Sequence, residues 1–512
     1  MQRVVTADEM HALDRATIDD IGLPAMTLME TAGRAVAEAA CRMLGTTRGH
    51  VALVCGPGNN GGDGFVCARV LRDRGFDAVV YLAVPREAVR GDALAHLDIF
   101  ERAGGTTEPI DTPGQLSGID NRVIDAALVV DALFGIGLRR PIEGHLAEVV
   151  AMMLMAERVL AVDLPSGLDT DTGRPHGAAV IAERTVTMAA LKVALVSAPG
   201  FAHCGELEVA DIGIPAALIG ASRGAAGVVE AGDVRQWLPQ PRSLEHKGRR
   251  GHVLVIAGSP GMRGAGRLAA TAALRAGAGL CTLAADGELD APDSVMTHSL
   301  DRAELAALVS GKAAIVIGPG IGTAATAAAR TREVLAAGIP AVLDADALNA
   351  MARDPGAIAR AAGPIVVTPH PGEASRLLGI SVGDIEADRL AAARALAART
   401  RAVVVLKGAR TIVCDGTTED RYCAINPTGG PALATGGSGD VLAGTIGALL
   451  AQGLSAVDAA RAGVYVHGAA GDQLAARHGA RGVLSSDLPE AIAAAIHALT
   501  QMAAGGRTAP GG

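Results

Sequence analysis

Short unbroken runs of Val, Ile, Leu and Ala recur along the whole chain, and each stops at a cluster of Gly, Asp, Asn or Pro. Residues 51–55 run into Gly56-Pro57-Gly58-Asn59-Asn60-Gly61-Gly62-Asp63-Gly64. Residues 127–130 run into Asp131, and 159–162 into Asp163-Leu164-Pro165-Ser166. The second half repeats the device: 252–257 before Gly258, 314–317 before Gly318-Pro319-Gly320-Ile321-Gly322, 341–343 before Asp344, 365–367 before Thr368-Pro369-His370, and 403–406 before Lys407-Gly408. Runs this short and continuous read as strands buried on both faces, since a strand with one wet face alternates. Ala-rich stretches between them supply covering helices. The pattern predicts α/β layers around mostly parallel sheets.

A chain of 512 residues is too long for one ordinary core, so two or more domains are expected. The small, polar run Gly220-Ala221-Ser222-Arg223-Gly224-Ala225-Ala226-Gly227 marks a boundary, dividing the chain into 1–222 and 223–505. Only 2% of residues are aromatic, so Ala, Val and Leu must fill the cores. A net charge of −9 without a long basic run argues against nucleic acid or an anionic membrane as partner. A phosphorylated small molecule stays open, because backbone N–H groups can hold it. The first residues lack the apolar centre of a signal peptide, and the seven cysteines form no C-x-x-C pair, which reads as reduced thiols. A cytoplasmic protein is expected.

Thr6-x-x-Glu9 and Thr27-x-x-Glu30 are both capping-box patterns. The run Gly56 to Gly61 is formally G-x-G-x-x-G between a strand and a helix expected from 65 to about 74. The next strand, 78–84, ends in Val84-Pro85 rather than in an acid for a ribose, which disfavours a nicotinamide dehydrogenase. Asn59, Asn60 and Asp63 among glycines make an oxygen-rich cup suited to a hard cation or a polar amide, unless the run is a plain polar turn. Ligands collect at the carboxyl ends of parallel strands, so Asp131, Asp163 and the Asn59-Asn60 loop should converge.

Near the C-terminal end a Gly/Pro/Thr-rich loop becomes apolar at Val441, with Leu442, Ile446, Leu449 and Leu450 at helical spacing. Glycines at a helix start leave N–H groups free for an anion. Asp440 stands there against the anion's charge, which suits a base that deprotonates a hydroxyl attacking phosphorus; a helix cap is the alternative reading. Lys407-Gly408 offers a cation and an N–H to a phosphate, and Walker A is absent. His370, between two prolines, either meets ligand or bonds its own loop.

Gly56 to Gly64, Val130-Asp131-Ala132-Leu133-Phe134-Gly135, Val162-Asp163-Leu164-Pro165-Ser166-Gly167-Leu168 and Val209-Ala210-Asp211-Ile212-Gly213-Ile214-Pro215 resemble the NAD(P)H-hydrate epimerase domain over nearly all of 1–220. Ala434-Thr435-Gly436-Gly437-Ser438-Gly439-Asp440-Val441-Leu442-Ala443-Gly444 is similar to the ADP-dependent NAD(P)H-hydrate dehydratase domain, with a likeness over about 240–500. The resemblance implies a Rossmann-like three-layer αβα domain followed by a ribokinase-like α/β domain. It implies that Asn59, Asn60, Gly61, Gly62, Asp63, Gly135, Ile136, Gly137, Leu138, Arg139, Arg140 and Pro141 line the hydrated-nucleotide pocket. Asn60, Asp131 and Ser166 would hold K⁺, and Asp163 would face the reacting ring. Ile136 stands where a hydroxyl residue is often seen. In the second domain it implies that Lys407, Gly408, Ala409, Arg410, Thr411 and Gly439 bind the nucleotide, while Ala265, Gly322, His370 and Asp440 contact substrate. Gly430-Pro431 departs from the expected Asn-Pro pair.

Substrates would then be hydrated NADH and NADPH (NADHX and NADPHX), with ADP as co-substrate, Mg²⁺ on its phosphates, and a homo-oligomer as the assembly. The competing reading is a ribokinase-like small-molecule kinase fused to a non-catalytic ligand-binding module.

Overall fold

A computed structural model of the chain describes residues 1–240, 247–287, 289–300, 305–322 and 325–501. It forms two compact units. One runs from Arg3 to Ala226; the other comprises Met1 and Gln2 with the chain from Gly227 onward.

In the first unit a seven-stranded sheet contains β1 (His50–Cys55), β2 (Asp77–Leu82), β3 (Thr106–Pro109), β4 (Leu128–Ala132), β5 (Val159–Val162), β6 (Arg184–Met188) and β7 (Glu206–Ala210). Its order is β3-β2-β1-β4-β5-β6-β7, and every pairing is parallel. The alternation hidden inside the apolar runs now appears. Val51, Leu53 and Cys55 face one buried layer, while Ala52 and Val54 face the other. Both layers are needed because both faces carry apolar side chains, which gives three αβα layers. The strand order reverses between β1 and β4, the switch point where a crevice opens at the carboxyl ends.

Thr6 and Glu9 do form the capping box of Ala7–Arg15. Thr27 and Glu30 do not: Ala25–Leu44 starts earlier, after Pro24, which puts Thr27 inside the helix. Glu30 instead receives Arg69 at 2.6 Å and Arg34 at 2.7 Å.

In the second unit the strands are β8 (His252–Ile256), β9 (Leu280–Ala285), β10 (Met296–Ser299), β11 (Ala314–Ile317), β12 (Ala341–Leu343), β13 (Ile365–Val367), β14 (Val403–Leu406), β15 (Ile412–Asp415) and β16 (Cys423–Ile425). They follow the order β10-β9-β8-β11-β12-β13-β14-β15-β16, antiparallel only from β14 onward. The helices pack through small residues. A β-carbon on Gly444 would lie 2.1 Å from the Ala269 carbonyl, so Ser438–Ala451 presses its backbone against Arg263–Arg275. A buried methyl group contributes only about 0.8 kcal/mol, so an alanine-rich core depends on many such close approaches. No helix among the described residues is long and apolar enough to cross a membrane.

Two candidate active sites at the ends of parallel strands

The glycine-rich run after β1 is helix rather than loop. Asn59–Asp73 is continuous, with Gly58 at the cap, so Asn59, Asn60, Gly61, Gly62 and Asp63 occupy its first turns. Glycine weakens a helix in isolation, and packing overrides that here. A β-carbon on Gly61 would come 2.1 Å from the Gly56 carbonyl, and one on Gly62 would come 2.4 Å from Met29 Sδ. One on Gly64 would lie 2.7 Å from Cys55 and Ala132. The helix start therefore sits directly on the strand ends and aims Asn60 and Asp63, each 8% exposed, at a cavity.

That cavity measures about 370 Å³. Asn59, Asn60, Asp63, Gly135, Ile136, Gly137, Leu138 and Asp163 are on its wall; Gly61 and Gly62 pack behind it, and Arg139, Arg140 and Pro141 are exposed beyond it. Asp163 and Asn60 converge on Gly135, where an added β-carbon would be 3.1 Å from Asn60 Oδ1 and 3.4 Å from Asp163 Oδ2. Asp14 and Lys192 also line the cavity and had no part in the sequence reading. The Lys192 ammonium donates to Asp163 Oδ1 at 2.6 Å. A lone lysine within the apolar stretch 189–196 was the available signal. Burial pushes the Asp63 carboxyl well above the usual range; Asp163 and Asp14 add to the rise and Lys192 opposes it. Burial raises Asp14 too, again against Lys192.

Asp131 and Ser166 form a second buried group at the ends of β4 and β5. Asp131 Oδ2 accepts from the Ser166 N–H at 2.8 Å, and Oδ1 accepts from the Ser166 hydroxyl at 2.6 Å. Ser166 Oγ in turn accepts from the Phe134 N–H at 2.8 Å. Burial lifts Asp131 to about 6 against those hydrogen bonds. On the cavity wall, Asn60 Nδ2 is buried without a hydrogen-bond partner among the described residues.

In the second unit, three neighbouring strands and one helix deliver polar groups to one place. Asp344 follows β12, Thr368 and His370 follow β13, Lys407 follows β14, and Asp440 lies in the first turn of Ser438–Ala451. Asp344 Oδ1 accepts from Lys407 Nζ at 2.7 Å and from the Thr368 hydroxyl at 2.7 Å. Glu373 Oε2 is 3.9 Å from the same ammonium. Burial pulls Lys407 down, but the two carboxylates outweigh it and hold it above the ordinary lysine range. Gly439 passes so close that a β-carbon there would be 3.3 Å from Lys407 Nζ. Asp440 is raised to about 7 by burial and then by Asp344, with Lys407 opposing. Gly437, at φ +90°, holds the cap position, so Asp440 is not the N-cap.

His370 caps its own helix: Nδ1 accepts from the Gly372 N–H at 3.0 Å. Of its two sequence readings, the loop hydrogen bond is present. Gly322 donates its N–H to Asp346 Oδ2 at 2.9 Å. A β-carbon on the neighbouring Gly320 would lie 3.3 Å from that of Ala265, so these two predicted contacts share one corner. Gly408, at φ +137°, lies against the buried Arg389 guanidinium. Ala409 is exposed, Arg410 donates to the Pro427 carbonyl at 3.0 Å, and Thr411 donates to the Gly408 carbonyl at 3.0 Å. Asp344, Asp346 and Glu373 joined the site only through the fold.

Comparison with known proteins gives two family models. Residues 25–194 match "YjeF-related protein N-terminus", and residues 253–494 match "NAD(P)H-hydrate dehydratase". A bifunctional NAD(P)H-hydrate repair enzyme of Moorella thermoacetica is 42% identical over 508 residues, covering 95% of each chain. One of Coxiella burnetii is 38% identical, covering 94% of this chain and 96% of its own. Among solved structures, an ADP/ATP-dependent NAD(P)H-hydrate dehydratase from Bacillus subtilis, co-crystallised with ATP and Mg²⁺, is 30% identical. It covers 54% of this chain and 99% of its own, with a TM-score of 0.47.

Proposed function

This chain belongs to the bifunctional NAD(P)H-hydrate repair enzymes, and from that premise we propose how its two sites divide the work. The enzyme interconverts the R and S forms of hydrated NADH and NADPH, and it dehydrates the S hydrate with ADP. We assign the first activity to 1–222 and the second to 223–505. A kinase fused to a non-catalytic module is not favoured.

Hydration at C6 of the reduced nicotinamide ring leaves a hydroxyl beside the ring nitrogen. In the first cavity, the C6–O bond breaks as the nitrogen lone pair forms a C=N bond, and the oxygen takes a proton and departs as water. Water returns to the other face of C6 and loses a proton to a base. Asp163 is our assignment for the group that handles that proton, with Asn59, Asn60, Asp63 and Gly135–Leu138 around the nucleotide.

Asn60, Asp131 and Ser166 fit K⁺. Asp131 is a fully buried carboxyl that accepts from neutral groups, the Leu133 and Ser166 N–H and the Ser166 hydroxyl, and rotating the Asn60 amide would replace its orphaned N–H₂ with a hard oxygen. The ion would supply a fixed positive charge beside the cavity.

In the second site hydroxide is too poor a leaving group to depart unaided. The C6 oxygen attacks the β-phosphorus of ADP and AMP leaves. Phosphate then departs from C6 as a proton is lost from C5. Asp440 is our assignment for the base that takes the hydroxyl proton, with Lys407–Thr411 and Gly439 along the nucleotide and Ala265, Gly322 and His370 toward the substrate. Among the described residues no group of three His, Cys, Asp or Glu side chains could hold a metal. Mg²⁺ would be held largely by phosphate oxygens and water and would neutralise charge on the nucleotide. We also place the enzyme in the cytoplasm as a homo-oligomer, an assembly that light scattering measures directly.

The observation that carries the dehydratase reading is the place of Asp440, in the first turn of Ser438–Ala451 and one residue from the glycine that abuts Lys407, where burial raises its carboxyl to about 7. Product analysis tests it. Incubation with the S hydrate and ADP should return the dihydronicotinamide absorbance with one AMP and one phosphate per turnover. A stable phosphoester would point to a kinase instead.

A further inference from the structure

A buried charge must be matched, because the desolvation cost is otherwise prohibitive. Lys192 is 0% exposed, and its ammonium has three acceptors: Asp163 Oδ1 at 2.6 Å, the Met188 carbonyl at 2.8 Å and Thr187 Oγ1 at 2.9 Å. Three acceptors consume its three N–H bonds, so the group cannot swing. Its backbone is tied down as well, paired in parallel register with Val5.

Asp163 is held from the same side. It sits at φ +64°, a conformation costly for a residue with a β-carbon and kept only where surrounding contacts enforce it. Those contacts all fall on one oxygen. Oδ1 accepts from Lys192, from the Thr187 hydroxyl at 3.0 Å and from the Met188 N–H at 3.2 Å. Thr187 thus accepts from Lys192 and donates to Asp163. The other oxygen, Oδ2, faces Gly135 on the cavity wall.

We infer that Lys192 is a positioning residue of the epimerase: with Thr187 as its relay, it commits Asp163 Oδ1 and presents Oδ2 to the hydrated ring. This rests on the assignment of Asp163 above. A carboxylate that must meet a proton on a ring held in one pose gains from having a single orientation, since misplacement by about 1 Å can cost roughly 10²-fold in rate. The glycine at 135 leaves the path from Oδ2 into the cavity clear.

The test uses the full-length enzyme and follows R-to-S conversion. Lys192→Ala should lower kcat by about 10²-fold while KM stays within about threefold. Ethylammonium added to that variant should restore at least tenfold, by refilling the space with a cation. Thr187→Val, which leaves the lysine in place, should lose about tenfold in kcat and gain nothing from the amine. It also carries the test if Lys192→Ala does not fold, which thermal melting of the variant reveals. Wild-type kcat in Thr187→Val, or a loss in Lys192→Ala that lies in KM or resists the amine, would overturn the inference. Asp163→Asn is run alongside. If that variant epimerises normally, the assignment of Asp163 itself has failed.

Discussion

Lys407 Nζ and Asp344 Oδ1 lie 2.7 Å apart although their strands, β14 and β12, are separated by β13. The intervening strand contributes Thr368, which donates to the same Asp344 oxygen. This bridge sets the field in which Asp440 works, since Asp344 raises the Asp440 carboxyl and Lys407 lowers it. Replacing Asp344 with Asn removes the raising charge and frees the lysine, so both changes favour ionised Asp440. The acid limb of the dehydratase kcat/KM profile, expected near pH 7 in the wild type, should move to lower pH. The profile of Asp344→Asn measured between pH 5 and 9 checks this, and a limb that stays put or rises contradicts it.

Gly439 should resist even the smallest side chain. A methyl group there would press on the Lys407 ammonium at 3.3 Å. Alanine ordinarily stabilises a helix by about 0.5–1 kcal/mol over glycine, so Gly439→Ala should melt no lower than the wild type by more than a degree or two. Its KM for ADP should rise several-fold. Initial-rate kinetics across ADP concentrations would expose the alternative, an unchanged KM.

Potassium should stabilise the first unit in a pH-dependent way. Asp131 is raised to about 6 in the fold from an ordinary value of 3.8. Without a cation, its contribution to stability is complete below that ordinary value and is lost as pH rises through about 6. K⁺ bound to the ionised form would offset the loss, by about 2.7 kcal/mol when its concentration is a hundred times its Kd. Melting in K⁺ against tetramethylammonium should therefore differ at pH 8 and converge at pH 5. Asp131→Ala should abolish the difference, and epimerase activity should follow it.

ADP should be consumed in preference to ATP. Initial rates at equal concentrations of the two nucleotides decide the matter, and a faster rate with ATP would reverse the expectation.

The strands were legible because a run such as Val403-Val404-Val405-Leu406 has few ways to be satisfied other than burial in a parallel sheet, and their ends were therefore the natural place to look for chemistry. The limit of that reasoning shows at Asn59. Gly61, Gly62 and Gly64 look like loop residues in sequence, yet they are the positions where a helix touches Gly56, Met29 and Cys55. Met29 and Ala132 reach these glycines from distant parts of the chain, and Gly56 and Cys55 meet them only because the chain folds back from strand to helix. The same holds for Lys192 and Asp344. Each has a partner, Asp163 or Lys407, at the end of another strand, so no local spacing announces the pair. Asp440 was readable because the glycines just before it mark a helix start within the local sequence.

Asp440 is proposed above as the base of the dehydratase. Asp440→Asn keeps the size and hydrogen-bonding capacity of the side chain and removes its ability to accept the proton. Single-turnover dehydration of the S hydrate with saturating ADP should slow by about 10²–10⁴-fold. ADP binding should survive, because the lost negative charge opposed the phosphates. Conversion of R to S hydrate by the same preparation should be unchanged. A dehydration rate near that of the wild type would contradict the account and leave Asp440 a structural residue of the helix start.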